Sequence, residues 1–498
     1  MTIVAAAKSA GRAKRDHVVI FPFPAKGHTI PLLHLASALS SRNILVSFIT
    51  TPAAVPFLRD HLTISSSTVR FLLLPFPSHP DLPVGVETTD ALPSFSLFPA
   101  FLAATASLKD PFHLLLRRLL LSSDDPPPLC LVSDFFLWWT LPICRRFGLP
   151  RLVFHGMPVF SMALCKSLWN NSAALSAGNP IPVPGAPPAL RLNLAEIPEE
   201  VRNSVDQLGP AAQFLDMARQ TDVASWGVIV NSFPALEPPA YVELLDSFYG
   251  HVDGGRSWLV GPLSLFSGDD VGHRNVKAQS SSSSDCIRWL DRQPDGSVVY
   301  VAFGTQASIS GERLDEVAYG LAKAGVRYLW AVRSEAWVPP VDPGELGRIE
   351  RGWVPQKEVL SHASVGGFLS HCGWNSVLEA VAAGVAVLAF PMIAEQHLNA
   401  KFVAEEIGIG LRLFPAGSVG VVGREEIEEG VRELMEGEKG RRATKAAAEL
   451  AKKARAAVSE NGSAYQALEM LLDELRKIPK AAAAAAAELD GVVEGDQA

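Results

Sequence analysis

The chain has 498 residues, of which 48% are hydrophobic, and 44 Lys and Arg against 52 Asp and Glu give it a net charge of −8. This length suggests two domains, with three as the upper limit, and the hydrophobic share supports a full core, which excludes wholesale disorder. The slight acidic excess without a basic block argues against a nucleic-acid-binding protein, which needs clustered Lys and Arg.

The five cysteines are odd in number and no two have CxxC spacing, so neither a disulfide framework nor a zinc knuckle is expected. No segment reaches the roughly 18–20 uninterrupted apolar residues that span a bilayer. The N-terminus is basic but lacks the apolar core of a secretory signal, and a transit peptide is the weaker alternative. We therefore expect a cytoplasmic protein without an integral membrane segment.

The chain opens on a strand–helix–strand pattern that is typical of a parallel α/β sheet. After a flexible leader (1–16), the apolar run 17–23 predicts a short buried strand. Apolar residues then recur at helical spacing as far as Leu39, with Thr29 as the expected N-cap. The next strand is predicted at 44–50.

Strands and helices alternate in two similar series along the rest of the chain. The series are separated by a stretch rich in Gly, Ser and Asp, 254–284, in which we place the linker. The Pro- and Ala-rich stretch 180–190 is predicted to be a surface loop. The other predicted elements are strands at 129–133, 152–155, 227–231, 297–303 and 328–332 and helices at 138–147 and 313–324.

The window 353–396 concentrates unusual residues. Within it, 365–370 is predicted to be a strand that enters a sharp Cys-Gly turn, and a helix then begins at residue 375 or 376 and ends at Gly384. A helix N-terminus at the carboxyl end of a parallel strand is an anion site, because its unpaired amides and its dipole point outward. A diphosphate suits this arrangement.

Structural roles alone explain single features of this window. Ser376 and Glu379 have the spacing of a helix capping box. Trp353 and Trp374, taken singly, suit core or rim positions. These alternatives weaken only because the features sit together at one strand-to-helix junction.

The window contains three spaced motifs: W-x-P-Q at 353–356, H-C-G-W-N-S-x-x-E at 371–379 and E-Q at 395–396. At these spacings it resembles the donor-binding box of the plant secondary-metabolite UDP-sugar glycosyltransferases (family 1), a long and specific pattern. The resemblance extends over about residues 16–475. It implies an α/β protein of the GT-B fold, with two Rossmann-like parallel-sheet domains that face each other across a cleft.

The resemblance also implies a division of the chain. The expected segments are a leader (1–16), an N-terminal acceptor-binding domain (17–258), a linker (259–284), a C-terminal UDP-sugar-binding domain (285–455), a C-terminal helix (456–478) that packs back toward the N-terminal domain, and a flexible tail (479–498).

Donor-site roles follow from the same resemblance. Trp353 would stack on the uracil, an interaction worth roughly 1–3 kcal/mol per base, and Glu379 would accept hydrogen bonds from the ribose. The other assignments are Val354 and Gln356 near the base and ribose, Thr305, His371, Gly373, Trp374, Asn375 and Ser376 around the phosphates, and Glu395 and Gln396 on the sugar hydroxyls.

The sequence departs from the family pattern at a few positions. Ala386 and Phe390 stand where Pro and Trp are common, and we expect them to change packing more than donor chemistry. Glu395 keeps the carboxylate of the commoner Asp on a longer arm, and Thr305 keeps the hydroxyl of the frequent Ser. Gln396 favours UDP-glucose over UDP-galactose in this family.

His28 follows the first predicted strand, at the edge where open α/β sheets bind ligands. A lone histidine, or an Asp after a strand, is usually structural. The resemblance instead implies that His28 is the general base toward an acceptor hydroxyl and that Asp134 orients it. His34 and Asp16 are weaker competitors for these roles.

The expected activity is inverting transfer of a sugar, with glucose favoured, from a UDP-sugar to a hydroxyl of a small apolar acceptor such as a flavonoid, another phenolic or a terpenoid. The UDP-sugar is a co-substrate, so no metal or organic cofactor is expected, and the enzyme is expected to be monomeric. Aromatic residues that suit either the acceptor pocket or the core are Phe95, Phe98, Phe101, Trp138, Trp139, Phe154 and Phe160.

Transfer from UDP-rhamnose or UDP-xylose, and a non-catalytic UDP-sugar-binding protein, are the alternatives. The pairing of His28 with Asp134 argues against the non-catalytic protein. A dinucleotide oxidoreductase needs a G-x-G-x-x-G turn after a strand and an α/β-hydrolase needs a G-x-S-x-G elbow, and the sequence offers neither.

Overall fold

The computed structural model describes residues 15–62, 68–203, 211–266, 281–304, 309–413 and 422–478. Its chain divides into two compact units. Unit 1 contains the chain as far as Phe154, together with 217–226 and the residues from Leu471 onward, and unit 2 contains 155–216 and 227–470. Most of the predicted leader and the whole predicted tail lie outside the described residues, and the domain boundaries stay a prediction.

The strands in chain order are β1 His17–Phe21, β2 Leu45–Thr50, β3 Val69–Leu73, β4 Cys130–Asp134, β5 Arg151–Phe154, β6 Ile181–Pro182, β7 Arg191–Leu192, β8 Gly227–Val230, β9 Ser257–Leu259, β10 Val298–Ala302, β11 Arg327–Val332, β12 Gly347–Arg351, β13 Val365–Ser370, β14 Ala386–Ala389 and β15 Gly410–Arg412.

The α-helices are α1 Lys26–Ser40, α2 Val55–His61, α3 Phe98–Ala106, α4 Lys109–Leu120, α5 Thr140–Arg146, α6 Val159–Asn170, α7 Glu199–Arg202, α8 Ala211–Val223, α9 Pro239–Ser247, α10 Ser281–Leu290, α11 Gly311–Ala324, α12 Gln356–Leu360, α13 Trp374–Ala383, α14 Gln396–Lys401, α15 Arg424–Met435, α16 Glu438–Val458 and α17 Ser463–Lys477. One π-helical turn, Phe402–Glu406, continues α14.

In unit 1 five strands pair in the order β3-β2-β1-β4-β5, and every pair is parallel. β1 is buried along its whole length, which agrees with its uninterrupted apolar sequence and with helices covering both faces of such a sheet. The connections run from β1 toward β3 on one side and from β4 to β5 on the other. The strand order therefore reverses between β1 and β4.

Unit 2 is built around a second parallel sheet, in the order β12-β11-β10-β13-β14-β15. Its order reverses between β10 and β13. Neighbouring residues of β10 point to opposite faces: Tyr300 packs in one apolar cluster with Phe368, while Val301 packs in another with Leu369. The sheet is thus buried on both faces, because side chains alternate along a strand.

The strands that the sequence predicts are present within one to two residues of their expected ends. Two local expectations outside the window 353–396 are wrong. α1 begins at Lys26 rather than after Thr29, whose hydroxyl donates to the carbonyl of Phe23 at 3.3 Å instead of capping the helix. The stretch 180–190 is not merely a surface loop, because Ile181 and Leu190 are buried and β6 pairs with β7.

All five cysteines are buried and none forms a disulfide. Burial raises the pKa of the Cys372 and Cys144 thiols to about 12, so both are expected to stay protonated. In the part of the chain that the structure describes, no helix combines the length and apolarity needed to cross a membrane.

His17 lies fully buried at the start of β1. Its Nδ1 donates to the carbonyl of Pro126 at 2.9 Å, which leaves Nε2 to accept from Ser47 Oγ at 2.8 Å. Ser47 Oγ also accepts from Arg70 Nε. Burial lowers the pKa of His17 to about 4, and the charge of Arg70 acts in the same direction. The neutral imidazole is therefore part of the folded state.

We expect this histidine to make unit 1 acid-sensitive. Because the pKa is lower in the folded chain than in the unfolded chain, its contribution is complete above pH 6.5 and is lost as the pH falls toward about 4. The maximum effect is about 3 kcal/mol. Urea midpoints measured between pH 4.5 and 7.5 should fall less steeply for His17→Gln than for the wild type. Exposed His251→Gln is the control, and parallel curves for all three proteins would contradict the assignment.

Candidate functional site

The structure brings His28 and Asp134 together in unit 1. Nδ1 of His28 and Oδ2 of Asp134 are 2.7 Å apart, and the carboxylate is fully buried while the imidazole is 21% exposed. The second carboxylate oxygen accepts from the backbone amide of Phe136 at 3.0 Å. Asp134 is thereby held at both oxygens, and only His28 reaches solvent.

The parallel register explains why two residues 106 positions apart meet. Phe21, the last residue of β1, pairs with Ser133 of β4. Asp134 is the next residue and ends β4, while His28 lies in the first turn of α1, directly after β1. Both side chains therefore project at the carboxyl edge, at the reversal of strand order, where open α/β sheets bind ligands.

The hydrogen bond also fixes the tautomer of His28. A carboxylate only accepts, so Nδ1 carries the proton and Nε2 is the unprotonated nitrogen. Aromatic rings lie beside the imidazole, with centroids 5.7 Å away for Phe23 and 5.8 Å away for Phe136. The arrangement can accept a proton at Nε2 in apolar surroundings.

Sequence reasoning missed Arg151, which is 1% exposed and lies behind Asp134. A cation at the start of an otherwise apolar strand was the available signal. Its guanidinium donates to Ser133 Oγ (2.7 Å), Ser225 Oγ (2.9 Å) and the carbonyls of Asp134 (3.1 Å), Thr221 (3.4 Å) and Leu137 (3.5 Å). It therefore ties the strand end that carries Asp134 to its neighbours.

Asp16 and His34, the weaker candidates for the general base and its carboxylate partner, lie in other surroundings. Asp16 forms an ion pair with Arg476 at 2.7 Å, and His34 lies half-buried two turns into α1. Phe98 lies 6.0 Å from Phe136, and exposed Phe95 stacks on Phe98. Trp138 is half-buried, whereas Phe101, Trp139, Phe154 and Phe160 are buried core residues.

The described donor-site residues assigned from the sequence lie in unit 2, in loops and the first two helical turns that follow β12, β13 and β14. These three strands belong to one parallel sheet, so all three loops lie at its carboxyl edge. Thr305 lies outside the described residues, and its assignment stays a prediction. The other assigned residues are collected at this edge by the sheet topology.

The ring of His371 lies against two glycines, one from each turn at the reversal between β10 and β13. A Cβ atom built on Gly304 or on Gly373 would lie 2.5 Å from Nε2 of His371, so neither position tolerates a side chain without a shift. Burial and the nearby charge of Arg333 lower the pKa of His371 to about 4. His371 is therefore neutral near pH 7 and offers a phosphate a hydrogen bond rather than a charge.

The capping-box interpretation of Ser376 and Glu379 is wrong. α13 begins at Trp374 with Gly373 as its N-cap, and no side chain caps it. Instead, Gln356 Nε2 donates to Ser376 Oγ at 2.9 Å and to Glu379 Oε2 at 2.6 Å. Burial raises the pKa of Glu379, although the bond from Gln356 opposes this. The start of α13 thus has no side-chain cap, an arrangement that suits an anion.

The two tryptophans of the window have opposite environments. Trp353 is 50% exposed in the loop after β12, next to buried Val354, and can serve as a stacking platform. Trp374 is buried, and its Nε1 donates to the carbonyl of Asn231 at 2.8 Å, so its side chain is structural. Asn375 is the half-buried second residue of α13.

Glu395 and Gln396 lie where the loop after β14 enters α14. Oε1 of Gln396 accepts from the amides of Met392 (3.0 Å) and Ile393 (3.1 Å). Its oxygen thus shapes the loop, and its amide NH₂ group is what it can offer a ligand. Glu395 Oε1 accepts from Asn399 at 3.3 Å, and Asn399 was also missed by sequence reasoning.

Comparison with known proteins places these features in a family context. The sequence family described as UDP-glucoronosyl and UDP-glucosyl transferase matches residues 258–443, and the family described as Glycosyltransferase, N-terminal domain, matches residues 16–135. The chain is 40% identical over 484 residues to UDP-glycosyltransferase 90A1 of Arabidopsis thaliana, with 93% of this chain and 96% of the relative covered. It is 34% identical over 490 residues to an anthocyanin 3'-O-beta-glucosyltransferase of Gentiana triflora, with 93% and 99% covered.

Solved structures are similar over their whole length. Phytolacca americana UGT2, complexed with UDP-2fluoro-glucose and pterostilbene, has a TM-score of 0.76 at 30% identity, covering 93% of this chain and 100% of that one. Glycyrrhiza uralensis UGT73P12, complexed with glycyrrhetinic acid 3-O-monoglucuronide, has a TM-score of 0.82 at 26% identity, covering 97% and 100%. These likenesses confirm the expected GT-B fold class, with two Rossmann-like parallel-sheet domains.

Gly304 and Gly325 offer a matched pair of substitutions at the donor site. Both have left-handed backbones, with φ +74° and +69°, but a Cβ meets His371 only at Gly304 and meets nothing within 4 Å at Gly325. Strain from the left-handed backbone should therefore be similar in Gly304→Ala and Gly325→Ala. We expect the first variant to bind UDP about tenfold or more weakly, the size of one lost hydrogen bond to a charged group, and the second to bind normally. Equal calorimetric affinities in the two variants would contradict a role for this contact.

Proposed function

The chain belongs to the UDP-glucoronosyl and UDP-glucosyl transferase family and is a UDP-glycosyltransferase, and from that premise we propose that it moves glucose from UDP-glucose, with inversion, to a hydroxyl of a small apolar acceptor such as a flavonoid or another phenolic. The observation that carries the proposal is the 2.7 Å hydrogen bond between His28 and Asp134. It prepares a base whose proton-accepting nitrogen is defined by the fold.

The proposed reaction is a single displacement. His28 Nε2 takes the proton of the acceptor hydroxyl, and the oxygen forms a bond to the anomeric carbon of the sugar. The bond from that carbon to the diphosphate breaks, and UDP leaves with the electron pair. The buried carboxylate of Asp134 stabilises the imidazolium that forms. One attack on the face opposite the leaving group inverts the configuration.

Charge that develops on the leaving diphosphate requires hydrogen-bond donors in unit 2. The amides at the uncapped start of α13 and neutral His371 are suitable, because fixed dipoles stabilise developing charge without reorganisation. Trp353 would hold the uracil, and Glu379, positioned by Gln356, would hold the ribose.

Glucose is the proposed sugar because Gln396 occupies the end of the donor box, and because a relative is named a glucosyltransferase and a similar structure holds UDP-2fluoro-glucose. UDP-rhamnose and UDP-xylose are the competing donors. A panel of UDP-sugars in a UDP-release assay separates them, and it also separates turnover from the binding without turnover expected of a non-catalytic protein.

An aromatic or otherwise apolar acceptor is supported by the rings of Phe23 and Phe136 beside His28 and by Phe98, which packs against Phe23. The similar proteins act on or bind such molecules by name: an anthocyanin in one and pterostilbene in another. The five cysteines, none of which forms a disulfide, support a cytoplasmic location, and a monomeric state stays a prediction.

Replacing His28 tests the general base. We expect His28→Ala to lower kcat for glucosyl transfer by about 10²–10⁴-fold, the usual contribution of general-base catalysis, while the affinity for UDP stays unchanged. His34→Ala, on the same helix, is the control and should turn over normally. A His28→Ala enzyme with near-normal transfer in the UDP-release assay would overturn the assignment.

Replacing Glu379 tests the donor site. Loss of a hydrogen-bonding carboxylate should weaken UDP-glucose binding by about 10- to 100-fold in Glu379→Ala, as for other hydrogen bonds to charged groups. Exposed Glu358→Ala on neighbouring α12 is the charge-matched control. Unchanged affinity by titration calorimetry would mean that Glu379 serves only the packing of α13.

A further inference from the structure

Asn399 is fully buried in α14, one helical turn beyond Glu395. Its Nδ2 donates to the carbonyl of Cys372 at 2.9 Å and to Glu395 Oε1 at 3.3 Å. Its Oδ1 accepts from Ser161 Oγ at 2.7 Å. One amide group therefore touches the turn after β13, the loop after β14 and helix α6, all within unit 2.

The chemistry of the partners fixes the orientation of this amide. A carbonyl and a carboxylate only accept hydrogen bonds, so both must face the NH₂ group, and a hydroxyl is the group that can donate to the remaining oxygen. An Asp at this position would set a third acceptor against the carbonyl of Cys372 and the carboxylate of Glu395. Only an amide satisfies all three partners.

The contact with Cys372 supports an unfavourable backbone. Cys372 has φ +63°, a left-handed conformation that costs energy for a residue with a side chain. This conformation turns the chain from β13 into α13, and so aims the amides at the start of that helix. The carbonyl of Cys372 is held in the buried interior by Asn399, and its amide is held by Ser370 Oγ at 3.2 Å.

Asn399 also holds Glu395, which lies at the end of the loop after β14 and is proposed to bind the sugar. Glu395 is the N-cap of α14 and follows Ala394, which also has a positive φ, +52°. The NH₂ group of Asn399 therefore donates to two acceptors. One is the carbonyl of Cys372 in the turn after β13, which is proposed to bind the phosphates, and the other is the carboxylate of Glu395, which is proposed to bind the sugar. Asn399 thus links the Glu395 carboxylate directly to the turn after β13.

We infer that Asn399 is a positioning residue for the donor sugar. It sets the Glu395 carboxylate at the correct distance from the turn after β13, which is proposed to bind the phosphates. The inference rests on the proposed function. Asn399 itself is fully buried, so its effect on the donor must pass through Glu395 and Cys372, which it contacts. Its signature is a loss of affinity that is larger for UDP-glucose than for UDP.

The experiment compares the affinities of the full-length chain for UDP and for UDP-glucose by titration calorimetry, without acceptor. The proteins are the wild type, Asn399→Ala, Glu395→Ala and the double variant. We expect each single variant to lower the affinity for UDP-glucose relative to UDP by about tenfold, and the double variant to lower it no further than Glu395→Ala, because the two residues act as one unit. Equal weakening of both ligands in Asn399→Ala, or multiplied losses in the double variant, would overturn the inference.

Two controls keep the result interpretable. Asn171→Ala removes a helix-end amide bond to Ser167 elsewhere in unit 2 and should leave both affinities unchanged. If Asn399→Ala does not fold, Ser161→Ala decides, since it frees Oδ1 of Asn399 and should shift the same affinity ratio in the same direction by a smaller factor. An unchanged ratio there contradicts the inference. A wild-type chain that binds neither ligand instead refutes the proposed function.

Discussion

The reversal of strand order within a parallel sheet is the constraint on which both sites depend. At such a reversal two neighbouring strands send their connections in opposite directions, so the carboxyl ends of the strands stay uncovered. Unit 1 has its reversal between β1 and β4, and there His28 meets Asp134. Unit 2 has its reversal between β10 and β13, and there Gly304 packs on His371. The same topological feature thus positions the proposed general base in one unit and the proposed phosphate-binding turn in the other.

The charged and polar groups at each reversal match the charge that is proposed to develop there. Next to His28 a buried carboxylate favours a transient positive charge. At the start of α13 the favourable groups are backbone amides and a histidine whose pKa is lowered to about 4. Neither arrangement needs a cluster of Lys or Arg, which explains how a chain with a net charge of −8 can bind an anionic co-substrate.

The sequence predicts the strands well, because parallel strands buried on both faces are continuous apolar runs that end at turns. It predicts helix starts less well, since the N-caps of α1 and α13, Ala25 and Gly373, carry no capping side chain. The roles of His28, Asp134 and the donor box came from the family resemblance. Without that resemblance, the pattern of strands and helices predicts only an anion site at the helix start after β13.

The supporting residues were out of reach of the sequence for a different reason. Asn399 and Ser161 are 238 positions apart, and Arg151 reaches Ser225 across 74 positions. Such pairs exist only once the sheets and helices are assembled, and a buried Asn or Arg has no periodic signature that separates it from a surface residue. Sequence motifs therefore identify the groups proposed to touch substrate, whereas the groups that hold them in place require coordinates.

Backbone strain in unit 2 also separates residues proposed to touch the donor from residues that hold them in place. Among the described residues, four other than glycine have positive φ: Asn43, Asn461, Cys372 and Ala394. Asparagine tolerates this conformation, so only the Cys and the Ala are unusual, and both lie in the turns that Asn399 connects through Cys372 and Glu395. Strained backbone persists only where surrounding contacts over-determine it. The buried amide of Asn399 provides such contacts, so the turns proposed to bind the donor are already shaped in the chain without ligand, and binding energy would not be spent on forming them.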